Sequence, residues 1–122
     1  MFNCLLLHRS YLTNTLLEHY IRRTGCLDLT WTGSYSSEAV QEIRSGKYDL
    51  VFVSLPEPHS LLPEPLVTTL RHCKSLILSS LYPEHLYAHY QLERLHFLTE
   101  PFPAQQFQQA IEKYIALAES GY

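Results

Sequence analysis

The sequence lacks the features that mark nucleic-acid-binding, secreted and membrane proteins. Its nine Lys and Arg residues never form a run and its formal net charge is −3 at pH 7, so we expect no direct contact of this domain with nucleic acid. No apolar stretch reaches the roughly 18 residues needed to cross a bilayer. The N-terminus also lacks the charged lead and the cleavage site of a signal peptide. We therefore expect a cytoplasmic chain that begins at Met1 and does not contact membranes.

Cysteine is scarce, and the histidines are scattered. Cys4, Cys26 and Cys73 are far apart and form no Cys-x-x-Cys pair, which predicts reduced, largely buried thiols instead of a zinc site or a redox pair. His85 and His89 stand four residues apart, but the sequence places no third ligand beside them. Both are predicted to be ordinary surface residues, and no metal site is expected.

The apolar run at 50–53, which ends at Ser54, predicts a strand buried on both faces in the middle of a parallel sheet. Further runs predict strands at 2–7, 27–32, 75–79 and 95–98. Helical spacing, caps and prolines predict a first helix from Ser10 to Gly25, a second from Ser36 or Ser37 to Gly46, a third at 65–71, a fourth at 83–90 and a last one after Pro103. The predicted buried stripe of the last helix is Phe107, Ala110, Ile111, Tyr114, Ile115 and Ala118.

Five strands that alternate with five helices predict an α/β fold. Parallel strands need crossover connections of helix length and of one hand, which cover both faces of the sheet. We predict a single domain over 1–122, a three-layer αβα sandwich whose five-stranded parallel sheet has the flavodoxin-like order 2-1-3-4-5.

Three motifs connect this succession to a known family. They are Tyr-Asp-Leu-Val-Phe-Val-x-x-x-x-Pro at 48–58, Leu-Ile-Leu-Ser-Ser-x-Tyr at 76–82 and Phe-Leu-x-x-Pro-Phe at 97–102. In this order and spacing the chain resembles the CheY-like receiver domain of bacterial two-component response regulators, especially those that precede LytTR-type DNA-binding domains. The resemblance implies a phosphorelay signalling domain, the N-terminal part of a longer transcription regulator.

The residues that carry the chemistry of the family are replaced here. The resemblance puts His8 and Arg9 where the family has two acidic metal ligands, Ser54 at the phosphoacceptor aspartate and Glu100 at the lysine. The hydroxyl position is kept as Ser80, and the proline after the lysine is kept as Pro101. Magnesium needs hard oxygen ligands, and phosphoryl transfer needs a nucleophile, a metal and a cationic clamp. We therefore expect a degenerate pocket, a pseudo-receiver without magnesium, cofactor or catalytic residue.

Two alternatives stay open in this pocket. In one, Arg9 and Glu100 form a charge-assisted hydrogen bond in which the acidic and the basic position of the family are exchanged. In the other, both side chains point into solvent, where an ion pair contributes little. Ser54 either satisfies a nearby backbone group or is a nucleophile with His8 as its base. The backbone role is favoured because no Gly-x-Ser-x-Gly elbow is present.

Aromatic residues predict an interaction surface next to the pocket. Phe97 matches the family's fifth-strand aromatic and is expected to pack inside, while Leu81 is expected to crowd the place of the phosphate. Tyr82, Tyr87 and Tyr90 are expected to supply aromatic surface around the fourth helix, since aromatic residues are enriched at protein interfaces.

These expectations point to a signalling module that acts through protein–protein contact. The partner is another protein or a second copy, on the face formed by the fourth helix, the fifth strand and the fifth helix. The alternatives are a free-standing adaptor, or a small-molecule sensor that uses the same crevice with Arg9 as an anion anchor. An enzyme of this superfold is disfavoured because His8-Arg9-Ser10 stands where a phosphate-binding glycine loop would follow the first strand.

Overall fold

The part of the chain that the structure describes forms five strands and five helical segments in alternation. The computed structural model describes residues 1–8 and 16–120. The strands are β1 (Phe2–Leu7), β2 (Leu27–Gly33), β3 (Leu50–Ser54), β4 (Leu76–Ser80) and β5 (His96–Thr99). The helices are α1 (Leu16–Arg23), α2 (Ser37–Arg44), α3 (Glu64–Arg71), a 3₁₀ helix (Glu84–Tyr90) and α4 (Ala104–Glu119).

All five strands are parallel, and their order across the sheet is β2-β1-β3-β4-β5. The predicted flavodoxin-like topology and the central place of β3 are therefore confirmed. Successive residues of each strand face opposite sides, so one apolar cluster collects Leu6 and Phe52 with α1 and α4. The other collects Leu5 and Val53 with α2 and α3. The sheet is the middle layer of three.

Local signals set most boundaries. Ser36 caps α2 by accepting a hydrogen bond from the N–H of Ala39 at 3.2 Å, as predicted. Gly46 follows that helix at φ +75°, a left-handed conformation that glycine adopts without a steric penalty. The predicted cap at Ser10 lies outside the described residues.

The segment between β4 and β5 differs from the prediction. The expected fourth α-helix is a 3₁₀ helix of seven residues, preceded by Pro83 and followed by Gln91 in the left-handed region at φ 52°. A 3₁₀ helix has three residues per turn, so side chains three apart share one face. In α4, Ile115 is only half-buried and Ala118 is exposed, so the predicted buried stripe ends at Tyr114.

The edge strand β2 is irregular. Cys4 pairs with Leu29 while the next residue, Leu5, pairs with Trp31. Thr30 is thus an extra residue, a β-bulge, and its hydroxyl donates to the carbonyl of Cys4 at 3.5 Å. The bulge interrupts the ladder in the middle of the strand.

All three cysteines are free thiols; Cys4 is buried, while Cys26 and Cys73 are half-buried. Burial raises the pKa of Cys4 to about 12 and that of Cys73 to about 11. Both side chains are therefore neutral thiols at neutral pH. Within residues 1–8 and 16–120, none of the helices is long and apolar enough to cross a membrane.

Candidate functional site at the carboxyl ends of the strands

Three polar residues stand side by side where the central strands end. Leu7 pairs with Val53, which brings the next residues, His8 and Ser54, abreast, and Ser54 pairs with Ser79. Only 5%, 3% and 0% of His8, Ser54 and Ser79 is exposed. Strand alternation turns the three toward the α1 and α4 face of the sheet. The three residues thus form a polar layer where the apolar core ends, at the carboxyl ends of the central strands.

Within residues 1–8 and 16–120, the row shows no hydrogen-bonded arrangement for serine catalysis. The backbone N–H of His8 donates to the carbonyl of Gly33 at 3.0 Å. The ring atom Nδ1 of His8 and the hydroxyl of Ser79 have no hydrogen-bond partner among the described residues. An active serine needs a base in hydrogen-bond contact, and that base needs an orienting partner. Among the described residues, Nδ1 of the histidine therefore has no group that would orient the ring.

The backbone around Ser54 is held by its neighbours. The hydroxyl of Tyr35 donates to the carbonyl of Ser54 in a very short contact, and the N–H of Leu55 donates to the carbonyl of Ser79 at 2.8 Å. The Tyr35 contact was not expected from the sequence. A hydrogen bond from the Ser54 side chain to a backbone group stays a prediction.

Ser80 lies beside this row, and its hydroxyl makes two hydrogen bonds. Tyr87 donates its hydroxyl proton to the carbonyl of Pro56 at 2.7 Å. The Ser80 hydroxyl, 2.5 Å from the same Tyr87 oxygen, must therefore donate to it. The Ser80 oxygen also accepts from the N–H of Tyr82 at 2.9 Å. Ser80 thus donates its hydroxyl proton to the 3₁₀ helix and accepts one hydrogen bond from the backbone before that helix.

The second buried tyrosine of the 3₁₀ helix makes equivalent contacts. The Tyr90 hydroxyl accepts from the N–H of Leu62 at 3.2 Å and donates to the carbonyl of Ser60 at 3.0 Å. The Arg71 side chain donates to the carbonyl of Tyr90 at 3.0 Å. We refer to Tyr87 and Tyr90, with the backbone groups of Pro56, Ser60 and Leu62 that they bind, as the tyrosine clamp. It fastens the 3₁₀ helix to the loop between β3 and α3.

These contacts correct the predicted aromatic surface. Tyr87 and Tyr90 are only 6% and 5% exposed, so their assignment to the surface is wrong. The reason is their spacing of three, which places both on the inner side of the 3₁₀ helix. Tyr82 is half-buried, and so is Phe97, whose ring centroid lies 6.1 Å from that of Tyr87.

Leu81 does not fill the pocket. Its side chain is 54% exposed, so the prediction that it crowds the place of a phosphate is wrong. The reversal of the chain after β4 turns Leu81 outward, while the backbone N–H of Tyr82 turns back toward Ser80.

Glu100 and Pro101 follow β5 and are joined by a cis peptide bond. The N–H of Glu100 donates to the carbonyl of Ser80 at 2.7 Å. Glu100 therefore lies, like Ser80, at the edge of the sheet where the strands have their carboxyl ends, which we call the rim. Arg9 lies outside the described residues, so its pairing with Glu100 stays a prediction.

The described residues at this rim are poor in the ligands that magnesium prefers, which are carboxylate and phosphate oxygens. His8 and Ser54 offer an imidazole and a hydroxyl, and Glu100 offers the one carboxylate among the sequence-predicted pocket residues. Across the described ranges, 1–8 and 16–120, no group of three or more His, Cys, Asp and Glu side chains is placed to hold a metal ion. The exposed pair His85 and His89 belongs to no such group.

His96, on the edge strand β5, has a pKa that is lower than the ordinary value for histidine. Burial lowers the pKa of His96, Lys113 lowers it further, and Glu84 opposes both. Glu84 in turn forms an ion pair with Arg94. The neutral form of His96 is thus favoured in the folded protein.

Comparison with known proteins identifies the fold. No protein-family description and no curated protein sequence matches the chain. Among solved structures, the receiver domain of a Pseudomonas aeruginosa sensor histidine kinase, solved with magnesium in its active site cleft, is 18% identical over 94% of this chain and 98% of that one, with a TM-score of 0.71. The response regulatory domain of Klebsiella pneumoniae mrkE is 15% identical over 97% and 98%, with a TM-score of 0.74.

A third structure supports the same class. The receiver domain of AraT, a response regulator from Geobacillus stearothermophilus, is 16% identical over 99% of this chain and 98% of that one, with a TM-score of 0.71. The chain therefore has the fold of response regulator receiver domains. That fold covers nearly its whole length.

Proposed function

We propose that this protein is a receiver-like signalling domain that works through protein–protein contact and not through phosphorylation of its third strand. The observation that carries the proposal is the buried Ser54 at the end of β3, with His8 beside it, in a chain with the receiver fold. The proposal includes no enzymatic reaction and no bound magnesium.

The chemistry of the rim supports this function. An aspartyl phosphate requires a carboxylate nucleophile, and its formation requires a cation that neutralises the developing charge. Position 54 carries a hydroxyl, and positions 8 and 9 carry no carboxylate. The hydroxyl of Ser80, which would have to turn to a phosphate, is engaged with Tyr87 and the backbone of Tyr82.

Acetyl phosphate with magnesium tests the proposal directly. We expect intact-mass spectrometry to show no phosphoryl group on the protein, and titration with beryllofluoride and magnesium to give no saturable change. Ser54→Asp alone should stay unmodified, because the metal ligands are still missing. A restored variant with His8→Asp, Arg9→Asp, Ser54→Asp and Glu100→Lys is the positive control, provided that it folds. Phosphorylation of the natural sequence would overturn the proposal.

We further propose that the domain belongs to a longer regulator with a LytTR-type DNA-binding output domain. Support comes from the motifs at 48–58, 76–82 and 97–102. The proposed contact face consists of the 3₁₀ helix, β5 and α4, together with Tyr82, which precedes the 3₁₀ helix. Phe97, on β5, and Tyr82 remain half-exposed. Sedimentation equilibrium distinguishes a dimer from a monomer, and Phe97→Glu should abolish a dimer that forms on this face.

A further inference from the structure

A cavity lies between α1 and α4, on the side of the sheet that carries Leu6 and Phe52. Its volume is about 570 Å³, and small-molecule sites usually measure about 300–1,000 Å³. The described residues that line it come from the end of α1, the turn before β2 and the first part of α4. They do not include His8, Ser54 or Ser79, so the cavity differs from the row at the rim.

The wall of the cavity is largely aromatic and aliphatic. The rings of Tyr20 and Phe107 stack with their centroids 5.6 Å apart and an angle of 27° between their planes. Phe107 and Ile111 are each only 3% exposed, whereas Tyr20, Cys26 and Ile115 are half-buried. Ile115 lines the cavity, which is why the buried stripe of α4 does not extend to it. A flat apolar molecule can cover this surface and stack on the tyrosine ring.

The polar groups inside the wall are bound to the protein itself. The Tyr20 hydroxyl donates to the carbonyl of Phe102 at 3.4 Å, and the Thr24 hydroxyl donates to the carbonyl of Tyr20 at 2.8 Å. The two charged side chains that line the cavity are those of Arg23 and Glu112, and both are exposed. The interior therefore suits an apolar group, and polar recognition takes place at the mouth.

The two charges at the mouth are opposite in sign. Arg23 can only donate hydrogen bonds, and the carboxylate of Glu112 can only accept them. Among the described residues, no ion pair joins the two. The nearby Arg22 is paired with Glu18 at 3.7 Å, and one nitrogen of Arg23 is 3.5 Å from Nε2 of His19. A charged ligand group meets a like charge at this mouth, whereas an uncharged group that both donates and accepts, such as an amide, meets none.

We propose that this cavity is a binding site for a small, uncharged, flat aromatic molecule that carries an amide-type group. The aromatic part lies against Tyr20 and Phe107, and the amide-type group bonds to Arg23 and Glu112 at the mouth. This inference goes beyond the proposed function, because contact with a partner through the 3₁₀ helix and β5 does not require a ligand between α1 and α4.

Three naphthalene probes of equal shape test the site. Naphthamide is uncharged, naphthoate carries a negative charge and naphthamidine a positive charge, each on the same ring carbon. In a nitrogen–proton NMR titration of the whole protein, naphthamide should shift the backbone amide signals of Cys26, Gln108 and Ile111, which line the cavity. For a ligand of about 13 non-hydrogen atoms, the shifts should saturate with a Kd on the order of 1 mM or below. Each charged probe should bind about tenfold more weakly.

Two matched tryptophan variants locate the binding. Ala104 is exposed and lines the cavity, whereas Ala118 is exposed on the same helix and is not among the described residues that line it. Ala104→Trp should block the cavity and abolish the saturable shifts, because the indole occupies the place of the probe. Ala118→Trp should keep the natural Kd. The same NMR spectra verify that each variant is folded.

Several results would contradict this site. No saturable shift with any of the three probes, shifts confined to residues outside the cavity, or equal affinity for the three probes would each overturn it. So would undiminished binding by Ala104→Trp, or an equal loss in both tryptophan variants. None of these results bears on phosphorylation, which acetyl phosphate tests separately.

Discussion

Removal of one hydroxyl group tests the tyrosine clamp most directly. In the variant Tyr87→Phe the ring keeps its size and its contact with Phe97. The change removes the hydrogen bonds to Pro56, at 2.7 Å, and to Ser80, at 2.5 Å. Both partners are then left in a buried environment without the group that satisfied them.

The expected loss of stability follows from these two contacts. A buried hydrogen bond contributes about 1 kcal/mol net, and an acceptor left unsatisfied adds a further penalty, so the free energy of unfolding should fall by about 2–3 kcal/mol. With a urea m-value of about 2 kcal/mol/M for a domain of this size, the unfolding midpoint should fall by about 1 to 1.5 M. Circular dichroism and the fluorescence of Trp31, the one tryptophan, both report the transition.

Two comparisons make this measurement decisive. Tyr82→Phe is the matched control, because Tyr82 contacts Ser80 through its backbone N–H, and it should change stability by less than about 0.5 kcal/mol. In a double-mutant cycle, Tyr87→Phe and Ser80→Ala should show a coupling of about 1 kcal/mol. A Tyr87→Phe protein as stable as the natural one, or strict additivity in the cycle, would refute the reasoning.

Further predictions concern the core and the titrating groups. Phe107→Ala, at a buried position of α4, should lower the free energy of unfolding by about 3–5 kcal/mol in urea. Because the pKa of His96 is lowered by burial and by Lys113, stability should be complete above the ordinary value of 6.5 and fall as the pH drops below it, and His96→Gln should reduce that fall. Because the pKa values of Cys4 and Cys73 are about 12 and 11, both thiols should resist iodoacetamide at pH 8 until the protein unfolds, as measured by mass spectrometry.

The strands could be predicted because their signal is local. A run such as Leu50–Ser54 is apolar on both faces, and only the interior of a covered parallel sheet accommodates it. Predicted ends differ from the structure by one residue at β4, which begins at Leu76 and includes Ser80. Serine is compatible with a strand end and with the loop that follows, so the sequence does not determine that boundary.

The 3₁₀ helix and its tyrosines could not be predicted from the same signals. Its seven residues are too few to distinguish the spacings of 3.0 and 3.6 residues per turn. The spacing of Tyr87 and Tyr90 is the one clue, and it gains meaning only when the loop that they bind is known. Their partners, Pro56 and Ser60, are 31 and 30 residues away in the chain.

The candidate site was predictable in composition and not in its contacts. Sequence reasoning places Ser54, Ser80 and Glu100 at one rim, and the sheet register brings them there. It missed Ser79, whose burial follows from the register with Ser54, and the Tyr87 hydroxyl that engages Ser80. Contacts of this kind depend on the approach of distant segments, which the residue pattern of one strand does not encode.

The bulge at Thr30 bears on how this protein behaves when it is concentrated. β2 is an edge strand with a single neighbour, and a regular edge of seven residues would offer a template on which a second sheet could extend. The extra residue twists the strand and disrupts its regular spacing of donors and acceptors. Open-ended growth of sheets from one molecule to the next is therefore discouraged at this edge.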